Sequence, residues 1–556
     1  RDSSVTGVQT CALPICSKMI YWTSFSALIA IGTTLTRQKA RSFSVNLKSH
    51  SRLKVFAVLM VAVLLISGHF IYQRTQVGNS AAEIDWMQHY EQKYRHYQHI
   101  PQPTIVSVKT EIDLYPTSNE YIISGLYKLV NKSAAPLDSL LLYTDPAMEL
   151  AHVNIDRAVQ KANDSTYGHH RFKLTSPFMP GDSITMEFTI KYKWTPFNRH
   201  DPMNAILANG SFMRISRYYP IFGYQHQNEI EDPLERKKRA LGKASALKKL
   251  EQPDALPYDY GYVDLETIIS SDSDQTCIAT GEFIRKWQKG NRNFFHYKST
   301  GPIPFRFAIS SAVYMVEKSS YDNISIELYY DSKHAENVKQ LINDAKQTLA
   351  YCQNNFGKYP FKSIRFVEIS GFVSGFNATA YPGMIFMNEN MTFHSDLRRE
   401  KTRDVINELA GHELSHQWWG NSQIDPDDRR EGATMLTETL AMYTELMCYK
   451  HKHGPEGVKK MVKMYQDLYD IGKANSADEA LMRVSPGNTN VAYYKGLLAM
   501  YQLHELIGEQ KINTALRTFL QHYAFPHRPP TSEDLIHEFL RISEPALHKN
   551  IRKLFL

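Results

Sequence analysis

The chain has 556 residues, of which 43% are hydrophobic and 22% charged, and a formal net charge of +7. That length is too great for one hydrophobic core and points to roughly two to four domains. The composition is that of ordinary globular protein, and so modest a positive charge does not call for nucleic acid; none is expected as a partner.

The first residue is Arg1, and the run Val5–Ile15 resembles a translated sequencing-library adapter, so residues 1–16 are read as an artefact and set aside from the fold. Cys277, Cys352 and Cys448 then remain, an odd number without metal-type spacing, and no disulfide framework follows. Within residues 17–80, two uncharged runs, Met19–Leu35 and Val55–Tyr72, are predicted as transmembrane helices, the second the stronger. Between them Arg37, Lys39, Arg41, Lys48, Arg52 and Lys54 stand without a single acid. By the positive-inside rule this loop is cytoplasmic, which places everything after Tyr72 outside the inner membrane of a multi-pass protein.

Residues 81–100 carry Ile84, Met87, Tyr90 and Tyr94 at helical spacing and predict a juxtamembrane helix. From Thr104 the period changes to two. Strand-like runs at Tyr121–Val130, Ser139–Tyr143, Ser183–Tyr192, Val263–Ser270 and Phe305–Val316 make residues 101–315 a β-rich domain. The basic run Glu235–Arg239 inside it reads as a solvated loop or helix. Helical spacing returns over Ala335–Phe356, followed by a strand at Ser363–Ile369 and an apolar strand, Tyr381–Asn388, that ends in the acid Glu389. Beyond Arg403 the chain reads as helical almost to its end, and residues 456–556 read as a helical region that is cut short.

The chemistry concentrates in Glu408–Glu445. His412 and His416 lie four apart on a helix predicted from Thr402 to Trp419, so their imidazoles share one face and can close on one metal ion. Glu413 stands between them, placed to take a proton from an attacking water. A third protein ligand is needed, and Glu431, Glu438 and Glu445 are the candidates in or near a second helical run, Thr434–Lys450. Glu431, beside Gly432 at a loop end, reads as a solvent-facing side chain.

His412-Glu413-Leu414-Ser415-His416-Gln417-Trp418-Trp419-Gly420-Asn421, followed by Thr437-Glu438-Thr439-Leu440-Ala441, resembles the M1 family of zinc aminopeptidases, the gluzincins. The resemblance implies Glu438 as third ligand to one zinc ion and Glu445 as an acid supporting that centre. It also implies Tyr493, within Tyr493-Tyr494-Lys495-Gly496, as the donor to the oxyanion. The chain departs from the family in three places. Thr437 stands where an asparagine is usual. The 21 residues between His416 and Glu438 are three more than usual, the excess fitting the loop Ile424–Glu431. On the substrate strand, Ala380-Tyr381-Pro382-Gly383 puts alanine where the family has the glutamate that pairs with a free α-amine.

The fold implied is multidomain α+β: two transmembrane helices, a β-sandwich-like domain, a thermolysin-like catalytic domain over 316–455, and a C-terminal all-α region. The two spans, the Tyr381-Pro382-Gly383 variant and the helix Tyr493–Gly508 most resemble the subgroup whose M1 domain follows an ABC-type permease, which implies a nucleotide-binding partner subunit. The activity implied is a membrane-anchored, zinc-dependent (amino)peptidase acting on peptide bonds. Ala380 motivates the alternative, a peptide-binding or structural module of an exporter with little or no hydrolysis.

Overall fold

The computed structural model describes residues 6–41, 47–74, 80–194, 203–252, 261–371, 373, 377–390, 393, 404–420, 422–474 and 476–556. Two long helices, Thr6–Arg41 and Leu47–Arg74, come first. They meet at Gly68, where a Cβ would stand 3.1 Å from the Tyr21 ring. Among the described residues only one stretch, Leu53–Tyr72, is long and apolar enough to cross a membrane. The expectation of two spans is corrected to one candidate. The first helix has the length, but Ser17, Lys18, Thr23, Ser24, Ser26, Thr33 and Thr34 dilute its apolar residues.

The predicted juxtamembrane helix is Ser80–Tyr94, with a short 3₁₀ turn at Arg95–Tyr97. Its aromatic face docks on the β-rich region: Tyr90 and Tyr94 are buried with Tyr224, and the Trp86 indole donates to Thr166 O at 2.7 Å. The basic run read as solvated is instead partly an anchor. Asp232 caps the helix Pro233–Lys238, which turns Arg236 inward. The Arg236 guanidinium grips the Glu91 carboxylate at two points, 2.8 and 2.6 Å. Removing one partner of a buried ion pair strands the other, at a cost of about 3 kcal/mol. Glu91→Ala should therefore lower the midpoint of urea unfolding and open the Ser80–Tyr94 helix to proteolysis. Unchanged protection would refute its role as an anchor.

The described residues of the β-rich region form three sheets. The largest runs Glu282–Lys289, Arg292–Lys298, Tyr262–Asp272, Thr104–Tyr115, Glu120–Val130, Ser183–Lys193, Glu149–Ile155. Thr104–Tyr115 and Tyr262–Asp272 pair parallel in it, against antiparallel neighbours. A second sheet contains Leu137–Tyr143 and His169–Phe178, and a third contains Ile309–Ala312 and Ser211–Met213. Alternation decides which side chains enter the core: Val108, Ile112 and Leu114 are buried from one strand, Tyr121, Ile123, Tyr127 and Leu129 from its partner. The single strand predicted over Phe305–Val316 is broken into Ile303–Pro304, Ile309–Ala312 and Met315–Tyr321, because the chain crosses between three sheets.

Met315–Tyr321 begins a five-stranded sheet with the order Met315–Tyr321, Ile324–Tyr330, Ser363–Ile369, Met384–Asn388, Ala378–Tyr381. Its two inner pairings are parallel and Ala378–Tyr381 is an antiparallel edge. All seven residues of Ser363–Ile369 are buried, as expected of a parallel strand covered on both faces. Val367, Ile369, Met384 and Phe386 pack toward the β-rich region, while Ile364, Phe366, Ile385 and Met387 face the helices. The helices on that side include Val338–Asn355, Val405–Ser415 and Leu440–Gly472, the last kinked at Gly454-Pro455. Seven further helices and turns among the described residues, from Leu481 to Leu554, share their core.

Candidate metal centre

The helix that carries His412, Val405–Ser415, is shorter than the Thr402–Trp419 span predicted from sequence. Thr402 lies outside the described residues. At the other end His416 is the C-cap, and Gln417–Trp419 turn away so that both indoles can be buried. The Trp418 indole donates to Gly357 O at 2.9 Å and that of Trp419 to Thr444 Oγ1 at 3.3 Å, locking the end of the helix. Gly411 lets this helix approach the next: a Cβ there would stand 3.3 Å from Glu445 Cα.

Glu438 and Tyr493 each sit in a π-helical turn, Met435–Thr439 and Asn490–Lys495, wider turns that often mark functional positions. The two turns are tied together. Thr439 Oγ1 donates to Ala492 O at 2.6 Å, and a Cβ on Gly496 would come within 2.4 Å of that same Oγ1. Gly420, at φ 91°, makes room for Thr437, whose Cγ2 would be 2.4 Å from any Cβ there. Thr437, at the position where asparagine is usual in the resemblance, donates its hydroxyl to Thr434 O at 3.1 Å.

His412, His416 and Glu438 offer one ligand atom each, all within 4.8 Å of one another. Nε2 of His412 and of His416 stand 3.3 and 3.6 Å from Glu438 Oε2. Bonds of ~2 Å arranged tetrahedrally leave ligand atoms about 3.3 Å apart, so the spacing fits a zinc-type ion. The opposite nitrogens are already engaged. His416 Nδ1 donates to Trp419 O at 2.8 Å, and His412 Nδ1 stands 3.4 Å from Glu445 Oε2. Both imidazoles are thereby turned with Nε2 toward the centre. Burial works against charge here, yet the histidines bring Glu438 down to about 2 and the carboxylates of Glu438 and Glu445 push His412 up.

Glu413 points from the same helix, partly exposed, its carboxyl raised by burial although His416 and His412 pull it down. Tyr493 stacks on His412 at 5.6 Å between ring centroids, with 11° between planes, and its hydroxyl reaches Glu438. Burial foremost, then Glu438, keeps that phenol protonated. Glu445 also accepts from Tyr465 OH at 3.1 Å. Glu445→Gln should weaken zinc binding by about 10- to 100-fold without changing the fold, as read by competition with a chromogenic chelator. An unchanged affinity would remove Glu445 from the centre.

The remaining candidates separate cleanly. Glu431 pairs with Arg483 at 2.7 Å, so it is neither a ligand nor free in solvent. Glu389 accepts from Gly371 N at 2.6 Å and groups with His334 and Glu368, away from His412. Tyr494 packs near Tyr465, centroids 5.7 Å apart. On the edge strand Ala378–Tyr381, Ala380 and Tyr381 are buried, and Gln417 clamps the turn that follows. It accepts from Gly383 N at 2.9 Å and donates to Tyr381 O at 3.0 Å. Gln417 stood in the quoted motif, but sequence gave it no task.

A cleft of about 710 Å³ opens beside Glu438, with Arg214, Arg217, Arg306, Asp425 and Asp428 among its walls. Sequence reasoning missed these residues. The two acids come from the loop with the extra residues, whose Asp427 is held by Lys248 at 2.7 Å. Arg306 comes from the β-rich region, and only the folded chain brings it to the centre.

Residues 341–555 match the peptidase family M1 domain, so the chain carries a peptidase domain. The fold resembles the crystal structure of an M1 zinc metallopeptidase from Deinococcus radiodurans, with a TM-score of 0.58 and 15% identity over 83% of this chain and 94% of that one. A mutant of the D. radiodurans metallopeptidase bound to a Tyr-Ser-Ala substrate matches with a TM-score of 0.56 and 13% identity, covering 82% and 94% of the two chains. A two-domain M1 zinc metallopeptidase mutant bound to L-tryptophan gives a TM-score of 0.56 at 14% identity, covering 83% and 95%.

Proposed function

We propose that this chain is a zinc-dependent peptidase of M1 type, in which His412, His416 and Glu438 hold one zinc ion. The observation that carries the reading is the convergence of three ligand atoms within 4.8 Å, with the far nitrogens of both histidines already engaged. When bound, zinc supplies Lewis-acid polarisation of water and of the scissile carbonyl. Glu413 takes the proton of the attacking water and delivers it to the leaving nitrogen. Tyr493, kept protonated, donates to the oxygen that becomes negative in the tetrahedral intermediate. Gln417 fixes the substrate strand to the metal helix, so that strand and base keep their spacing.

Peptides as substrates fit both the matched domain and the Tyr-Ser-Ala complex of a similar structure. With Ala380 in place of an amine-binding acid, a free N-terminus is not required of them. Blocked, internally quenched peptides should be cut at least as well as aminoacyl chromogens, and a chelator should abolish both activities. Hydrolysis that survives removal of zinc would overturn this reading.

We further read Leu53–Tyr72 as a membrane anchor. Its apolar length and the exposure of Val55, Val58, Leu65 and Ile66 support the assignment. The five basic residues ahead of it, with Lys54 at its start, favour an extracytoplasmic peptidase domain. Carbonate extraction and protease accessibility of intact cells test both points, and release of the chain by carbonate would refute the anchor.

A further inference from the structure

The metal centre leaves one feature of the cleft unexplained, its guanidinium groups. Arg214 is half-buried in the cleft wall, yet among the described residues its guanidinium makes no hydrogen bond or ion pair. Arg306 stands close enough to repel it, and burial, with Arg306 next, pushes Arg214 down to about 10. Arg306 lies along the edge strand at the position where the acid is missing. It donates to Ala380 O and to Thr379 Oγ1, each at 3.3 Å, and its guanidinium rests on the Tyr381 ring, 5.0 Å from the centroid. Arg217 adds a third positive charge to the same cleft.

Arg306 attracts the Asp425 and Glu413 carboxylates from a distance, but the cleft acids form no direct pair with either guanidinium. Asp425 and Asp428 make no ion pair within 4.0 Å with Arg214 or Arg306. Burial, then Asp428, raises Asp425 to about 7, so it is only partly charged near neutrality. The two guanidinium groups line one cleft, and among the described residues neither has a carboxylate within 4.0 Å; planar donor forks of this kind match a carboxylate.

We propose that Arg214 and Arg306, beside the Ala378–Tyr381 edge strand, form a carboxylate-binding subsite that selects peptides carrying an acidic side chain next to the scissile bond. The proposal rests on the peptidase reading and inverts the charge expected of a site for a free amine.

The test uses the full chain carrying Glu413→Gln, so that peptides bind without turnover. Three peptides, acetylated and amidated so that the variable side chain is the only charge, differ by Glu, Gln or Lys at one position. A fourth, with Gln and a free C-terminal carboxylate, separates a terminal carboxylate from a side chain. The Glu peptide should bind about 10-fold or more tightly than the other three. Adding Arg214→Gln should erase that difference, and Arg214→Lys should keep part of it. Equal binding of all four peptides, preference for Lys, or no binding would overturn the subsite. Preference for the C-terminal carboxylate would overturn the assignment to a side chain. The wild-type chain is assayed in parallel for cleavage. A zinc-loaded wild type that cuts none of the peptides, while the Glu preference persists, would refute the peptidase reading and leave the subsite standing.

Discussion

Replacing Glu413 by glutamine should leave zinc bound at the wild-type stoichiometry and lower kcat by about 10³-fold, the scale of a lost general base. The substitution keeps the shape of the side chain and touches none of the three ligands. It removes only the group that accepts the proton. Burial holds the Glu413 carboxyl above the usual carboxylate range, so its charged form is lost as the pH falls. The wild-type rate should therefore drop on the acid side, and the residual rate of the variant should lack that limb. A variant within 10-fold of wild type would mean that the proton goes elsewhere.

Tyr493→Phe should lower kcat by about 10²-fold while KM changes little, because its hydroxyl serves the transition state more than the ground state. The ring itself, stacked on His412, is retained in phenylalanine, so zinc content should not change. If zinc were lost instead, the tyrosine would be holding the metal helix in place and not the oxyanion. A fall in affinity without a fall in kcat would likewise contradict its role.

The centre was legible in sequence where chemistry follows local spacing. His412, Glu413 and His416 are fixed relative to each other by helical periodicity alone. Glu438 was reachable only through the family resemblance of Thr437–Ala441, since spacing alone left Glu431 and Glu445 open beside it. What periodicity could not give is the π-helical form of Met435–Thr439 and Asn490–Lys495, since a wide turn needs a partner such as the Thr439–Ala492 contact. Nor could it find Arg214 or Arg306, whose places in the cleft depend on long-range packing of the β-rich region against the edge strand. The same limit explains Arg236. A run of charges looks solvated until a neighbour far away, here Glu91, proves to be buried with it. For the N-terminal helices, apolar length was readable but the dilution of Met19–Leu35 by serine and threonine was underweighted.

Metal analysis of the purified full chain tests the central claim most directly. Inductively coupled plasma mass spectrometry should find about one zinc per chain, and His416→Ala should lose it, because tetrahedral sites seldom survive with two protein ligands. Wild-type chain without zinc after reconstitution, or a His416→Ala variant that keeps its zinc, would contradict the account.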